Sequence, residues 1–138
     1  PTSFQQLDYE TITKKYNGDV PDVVFSNDDT KINVAINMTD IEMKNDEVLD
    51  YRTQFEDIYK DRAEILSTNY YEVDGHHVGQ IKMMSEAIDT NIYNNTVFFS
   101  YNDKLVIATF NCTEDLREDW ENVGDFIIDS LFFTDNNE

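Results

Sequence analysis

The stretch AEILSTNYYEVDGHHVGQIKMM, residues 63–84, predicts two strands joined by a tight turn, and the other elements are predicted on either side of this hairpin. Residues 63–73 are rich in β-branched, aromatic and other strand-forming side chains, and Asp74-Gly75 follows them directly. An Asp-Gly pair between two such runs is typical of a type I′ hairpin, because both central residues of that turn need a positive φ. The return strand is predicted over residues 76–84.

A second pair of strands is predicted after this hairpin. A less regular stretch at residues 87–95 leads into a strand over residues 97–101. Asn102-Asp103 then predicts another tight turn, followed by a strand over residues 105–112. Apolar residues alternate along that last strand, which indicates that one of its faces is covered by a core.

Upstream of the hairpins, the pattern predicts two shorter strands and a helix. Residues 22–25 form a short apolar run that is closed by turn-forming residues at 26–29. Residues 32–38 alternate apolar and polar side chains, the period of a strand with one covered face. Apolar residues at helical spacing then predict a helix over residues 46–60, with Asn45 as its N-cap.

The chain closes with a predicted amphipathic helix. The segment Thr113-Glu114-Asp115 predicts its start, because acidic residues are favourable at the positive end of the helix dipole. Apolar residues then recur at steps of three and four along one side of the helix: Leu116, Trp120, Val123, Ile127 and Leu131.

This order of elements predicts an α+β domain of the α/β/α sandwich type. A mainly antiparallel β-sheet with hairpins would be flanked by two helices, since hairpin-linked strands bury their faces against helices. At 138 residues the chain is long enough for one domain over 1–138. Residues 1–20 form the N-terminal edge of the domain, where the sequence pattern indicates secondary structure least clearly. Residues 134–138 are predicted to be a frayed tail.

The element order resembles the PsbP/Mog-like fold. The resemblance is carried by Val73-Asp74-Gly75 at the central hairpin and by the last helix, which ends Ile128-Asp129-Ser130-Leu131-Phe132-Phe133. It runs from Val23 to Phe133 and is nearest to the bacterial DcrB-like and PsbP-like small lipoproteins; the Mog-type Ran-binding factors share the fold. It implies a non-catalytic protein-binding domain and, in a bacterium, the soluble part of an extracytoplasmic protein that is lipid-anchored or secreted.

The charge of the chain restricts its partners. Twenty-nine Asp and Glu residues stand against ten Lys and Arg, which gives a net charge of −19. Such a field repels phosphate backbones and anionic headgroups, so we expect neither nucleic-acid binding nor direct membrane insertion. It favours a basic protein partner, while the alternative interpretation is that the charge serves solubility alone.

Four tyrosines are the candidate binding residues, because tyrosine is enriched at interaction hot spots. Tyr70 and Tyr71 are neighbours on a predicted strand, so one of them should face away from the core, and Tyr93 and Tyr101 are expected to join it. The alternative is that these rings cover surface on which the helices pack.

The sequence offers little support for catalysis or metal binding. His76 and His77 are neighbours on a strand and point to opposite faces, so they are expected to be ordinary hairpin residues. Cys112 ends an apolar strand face and is expected to be a buried structural thiol. The acidic turn at residues 27–30 lacks the ligand pattern of an EF-hand. We therefore expect no cofactor, no metal site and no catalytic residues.

Two other functions fit a small acidic protein. One is an immunity protein that neutralises a basic toxin surface. The other is a weak hydrolase that uses clustered carboxylates, which would need two of them in one cleft with pKa values that differ.

Overall fold

The computed structural model describes residues 4–8, 23–27 and 31–135 of the chain. The described strands are β1 (Gln5–Gln6), β2 (Val23–Ser26), β3 (Ile32–Glu42), β4 (Ala63–Val73), β5 (His76–Glu86), β6 (Asn91–Tyr101) and β7 (Lys104–Thr113). The described helices are α1 (Val48–Tyr59) and α2 (Arg117–Asp135), preceded by 3-10 turns at Asn45–Glu47 and Glu114–Leu116.

The strands form one antiparallel sheet in the order β1-β2-β3-β7-β6-β5-β4. The two predicted hairpins, β4–β5 and β6–β7, lie side by side because β5 pairs with β6. Strand β3 pairs with β7, although the two strands are far apart in the sequence. The β4–β5 hairpin therefore occupies one end of the strand order, with β4 outermost.

Both faces of the sheet are covered by a helix, which confirms the predicted α/β/α arrangement. Neighbouring residues of β6 illustrate it, because Phe98 packs with residues of α1 while Val97 and Phe99 pack with residues of α2. Side chains alternate across a strand, so these neighbours lie on opposite faces. The α1 side has Val48, Tyr51 and Phe55 in its core, and the α2 side has Ile127, Ile128 and Val123.

The two tight turns have the backbone that the sequence predicts. Asp74 and Gly75 have φ values of 49° and 84°, and Asn102 and Asp103 have φ values of 52° and 62°. Positive φ at both central residues defines the type I′ turn, whose twist matches that of the strands it joins. The Asp74-Gly75 hairpin is confirmed.

Strand β6 begins earlier than its sequence pattern indicates. The predicted strand over 97–101 is in fact Asn91–Tyr101, and the stretch described as less regular is largely part of it. The sequence pattern does not reveal this part of the strand, because Asn95 is polar and yet fully buried. Its Oδ1 accepts a hydrogen bond from Gln80 Nε2 at 2.8 Å, and its Nδ2 donates to Asp125 Oδ1 at 2.9 Å. These two bonds offset the cost of burying the amide.

The remaining predictions fall partly outside the described residues. Within the predicted edge of 1–20, the structure describes only residues 4–8, and three residues of the turn at 27–30 lie outside it. Helix α2 extends to Asp135, so the predicted tail of 134–138 overlaps its last turn, and residues 136–138 lie outside the described part.

Candidate protein-binding surface

The candidate surface is built on β4, where Tyr70 lies on the side of the sheet that α1 covers. Tyr70 is directly opposite Gly79 of β5, and a Cβ added to Gly79 would lie 2.9 Å from Arg52 Cβ on α1. Directly opposite residues share a face, which places Tyr70 beside this helix. The side chain remains 37% exposed, so it is available to a partner.

A histidine on the neighbouring strand holds the Tyr70 ring. The Tyr70 hydroxyl lies 2.5 Å from Nδ1 of His77, and the two rings meet edge-on with an interplanar angle of 88°. On its other side, His77 Nε2 lies 3.6 Å from Glu72 Oε2. The Glu72 side chain is 63% exposed. Tyr70, His77 and Glu72 thus form a row that presents an oriented aromatic ring next to a carboxylate.

Asn45 fixes the hairpin that carries this row. Its Nδ2 donates to Gly75 O at 2.8 Å, and its Oδ1 accepts the His77 backbone N–H at 2.7 Å. The prediction that Asn45 caps α1 is wrong: its amide is committed to the hairpin, and the Lys44 N–H donates to Glu47 Oε1 at 3.1 Å instead. Asparagine satisfies backbone groups in both settings, so the sequence pattern does not separate them.

Tyr71 lies on the opposite face of β4, where it packs on the core under α2. Burial raises its pKa to about 12, and the nearby carboxylates Asp129 and Asp125 contribute. The ring therefore covers surface on which a helix packs, as the alternative interpretation of the tyrosines proposes. Its acidic neighbours bring negative charge to this side of β4.

Tyr93 and Tyr101 do not join Tyr70 on one surface. Tyr93 is 1% exposed in the core, with the Arg117 guanidinium 5.1 Å from its ring centroid. Burial, with Asp125 as the next cause, raises its pKa to about 12. Tyr101 is 39% exposed, but it follows Phe99 by two residues and so lies on the α2 face. Both faces of β6 are covered, so alternation alone did not reveal which tyrosine is buried.

Carboxylates are numerous around the same hairpin. Glu64 and Glu72 are exposed residues of β4, and Asp129 of α2 is exposed close to Tyr71. One of the nearby acids, Asp125, is paired with Lys82 of β5 at 2.9 Å. The surface around β4 therefore combines exposed acidic groups with one oriented tyrosine, a composition that suits a basic partner.

The described residues line two further open cavities, away from Tyr70. One of about 360 Å³ is mostly apolar and lies between α2 and the β2–β3 side of the sheet; it is lined by Phe4, Phe25, Val34, Ile36, Phe126 and Ile127. The other, of about 290 Å³, lies at the far end of the β4–β5 hairpin. It is lined by side chains of both charge signs, among them Lys60, Arg62, Asp61, Glu64 and Glu86.

The described residues provide neither a metal cluster nor an activated thiol. Among residues 4–8, 23–27 and 31–135, no three histidine, cysteine or carboxylate side chains converge. Cys112 is fully buried, as predicted, and burial raises its pKa from 9.0 to about 11. Asp115 adds to this increase and Arg117 opposes it, so the one basic neighbour is outweighed. A thiol of high pKa is a poor nucleophile at neutral pH.

No helix in the described part of the chain is suited to crossing a membrane. Neither α1 nor α2 combines the length and the apolar composition that spanning a bilayer requires.

Comparisons with known proteins identify the fold. The solution structure of cyanobacterial PsbP (CyanoP) from Synechocystis sp. PCC 6803 matches with a TM-score of 0.65 and 16% identity, over 94% of this chain and 81% of that one. A crystal structure of a Pseudomonas aeruginosa protein of unknown function, a putative regulator, matches with a TM-score of 0.56 and 9% identity, over 80% and 73%. No protein-family model and no curated protein matches the sequence.

These matches confirm that the chain has a PsbP-like fold. At identities of 16% and 9% they establish the fold and carry no binding residue across. The closer resemblance to DcrB-like and Mog-type proteins stays a prediction.

Proposed function

We propose that this domain is a non-catalytic binding module that recognises a basic protein partner. The observation that carries the proposal is the exposed pair of Tyr70 and Glu72 on β4, in a protein of net charge −19. Tyrosine supplies contact area at little cost in conformational entropy, and the surrounding carboxylates steer a positively charged surface towards it. The PsbP-like fold is consistent with this function.

We also propose that the protein works outside the cytoplasm, as a secreted or lipid-anchored domain. The support is the resemblance to bacterial PsbP-like and DcrB-like small lipoproteins, together with the PsbP-like fold. Fractionation of the source organism, followed by immunoblotting, tests it. Recovery of the protein only in the cytoplasmic fraction would contradict this proposal and leave the binding function standing.

The binding function is tested by capture from lysate and envelope fractions of the source organism. Immobilised protein is expected to retain a specific basic protein at low salt and to release it at high salt, because exposed charge contacts are screened. The double variant Glu64→Gln with Glu72→Gln removes two exposed carboxylates of β4. It should retain less of the same protein than the wild type does. Retention of nothing at low salt would contradict charge-led recognition.

Two alternatives from the sequence stay predictions. If the captured protein is a toxin whose activity this domain blocks, the immunity-protein hypothesis is favoured. If the purified domain hydrolyses a substrate and loses that activity on Asp61→Asn or Glu86→Gln, the carboxylate hydrolase is favoured; both residues line the charged cavity.

A further inference from the structure

Within the described residues, strand β4 has a long edge with which no other strand pairs. In the part of the chain that the structure describes, β4 pairs with β5 on one side and with no strand on the other. It has 11 residues, whereas β1, at the opposite end of the strand order, has 2. A free edge presents backbone N–H and C=O groups that can pair with another chain.

The hairpin geometry determines which backbone groups of β4 face β5. In a type I′ turn, the C=O of the first residue accepts the N–H of the fourth, so Val73 and His76 form a hydrogen-bonded pair. Bonded and non-bonded pairs alternate along an antiparallel ladder. The next pair, Glu72 with His77, is therefore of the non-bonded type. The His77 N–H agrees with this, since it donates to Asn45 Oδ1.

The same alternation gives the groups that face outwards. Glu72 has its N–H and C=O directed away from β5, and Tyr70 and Thr68 follow it at steps of two. The side chains of all three are exposed. A strand arriving at this edge thus meets three alternate residues whose outward N–H and C=O groups pair with no strand among the described residues. The Tyr70 and Glu72 side chains would lie next to its own.

The usual protection of an edge strand is weak here. Proteins block free edges with proline, lysine or bulges, and β4 contains neither proline nor lysine. Its one irregularity is a register shift between Ile65 and Ser67, near the start of the strand. From Ser67 to Val73 the ladder is regular, long enough for a partner to form several backbone hydrogen bonds.

We propose that an extended segment of a basic protein adds to the sheet as an eighth strand beside β4. This inference rests on the proposed function and names where and how the partner binds. Main-chain pairing supplies affinity in this mode, while side chains next to Tyr70 and Glu72 supply selectivity. A lysine or arginine of the incoming strand meets the Glu72 carboxylate and the face of the Tyr70 ring. A second copy of this chain is disfavoured as the occupant because two copies, each with a net charge of −19, repel one another.

The test uses a synthetic peptide of alternating lysine and valine residues and the isotope-labelled full chain. We expect the amides of Thr68, Tyr70 and Glu72 to shift on addition of the peptide and to become protected from solvent exchange. Thr68→Pro removes one outward N–H without removing a bond to β5. It should bind about ten-fold more weakly. Thr68→Val, which retains that N–H, is the matched control and should bind like the wild type.

The possible outcomes separate the two proposals. If the peptide binds and the shifts lie away from β4, strand addition at this edge is overturned while the proposed function stands. If the lysine peptide produces no shift at all, strand addition is overturned, and the capture experiment decides the proposed function separately. If Thr68→Pro unfolds, the protection of the three outward amides in the wild-type protein still decides the matter.

Discussion

Asn45 accepts the backbone N–H of His77 at 2.7 Å, joining the turn before α1 to the hairpin that carries the candidate surface. The same side chain donates to Gly75 O, so one amide binds the backbone on both sides of His76, where strand β5 leaves the tight turn. Through His77, the position of the Tyr70 ring depends on this contact. The candidate surface is therefore positioned by a residue far from it in sequence.

Replacing Asn45 by alanine should destabilise the protein by about 1–2 kcal/mol, because two backbone groups lose their partner. Asn45→Asp keeps the acceptor for the His77 N–H and loses the donor to Gly75, so its effect should be smaller. Urea denaturation followed by circular dichroism measures both. An Asn45→Ala variant as stable as the wild type would mean that water replaces the amide without loss.

Gly75→Val should destabilise the fold by about 1–3 kcal/mol, because a β-branched residue resists positive φ. Gly75 has a φ of 84°, and an added Cβ would contact nothing within 4 Å, so the cost is conformational and not steric. Gly75→Asn, a residue that tolerates this region, is the control and should lose much less. Equal stability of the two variants in urea would count against a turn-strain explanation.

The stability of the protein should fall as the pH rises from about 9 to about 11. The ordinary pKa of a cysteine thiol is 9.0, whereas that of Cys112 in the fold is about 11. The unfolded chain therefore releases the Cys112 proton at a lower pH than the folded protein does. Deprotonation then favours the unfolded state, and the stability that is fully present below pH 9 is lost progressively above it. Urea denaturation at several alkaline pH values should show a shallower decline for Cys112→Ala. Identical declines would exclude this thiol as a cause.

Moderate salt should raise the melting temperature, because screening reduces the self-repulsion of a chain with a net charge of −19. The comparison is between low and physiological concentrations of sodium chloride, with a non-ionic osmolyte at the same osmolarity as the control. A melting temperature that does not change with salt would contradict self-repulsion as a cause of lowered stability.

The parts of the fold that were predictable are those that depend on local chemistry. The Asp74-Gly75 turn was predictable because few residue pairs allow positive φ at both positions. Strand β6 was predicted to begin near residue 97 because the polar Asn95 interrupts the apolar pattern that indicates a buried strand. Its burial depends on Asp125 of α2 and Gln80 of β5, and a local pattern cannot contain such distant partners.

The candidate surface was predictable only in part, because it depends on strand order. Tyr70 was identifiable as one of two adjacent tyrosines, but the sequence did not indicate which of them faces away from the core. The burial of Tyr93 and the outer position of β4 follow from the pairing of β3 with β7, a contact between distant parts of the chain. His77 was predicted to be an ordinary hairpin residue, and its contact with Tyr70 became visible only in the structure.

The most direct test of the central claim, recognition of a basic partner at β4, is the affinity of the full chain for two peptides of opposite charge. One alternates lysine with valine and the other alternates glutamate with valine, and both are titrated calorimetrically at low and at physiological salt. We expect binding of the lysine peptide alone, weaker at the higher salt and weaker again with Thr68→Pro. Equal affinity for both peptides, or none for either, would contradict it.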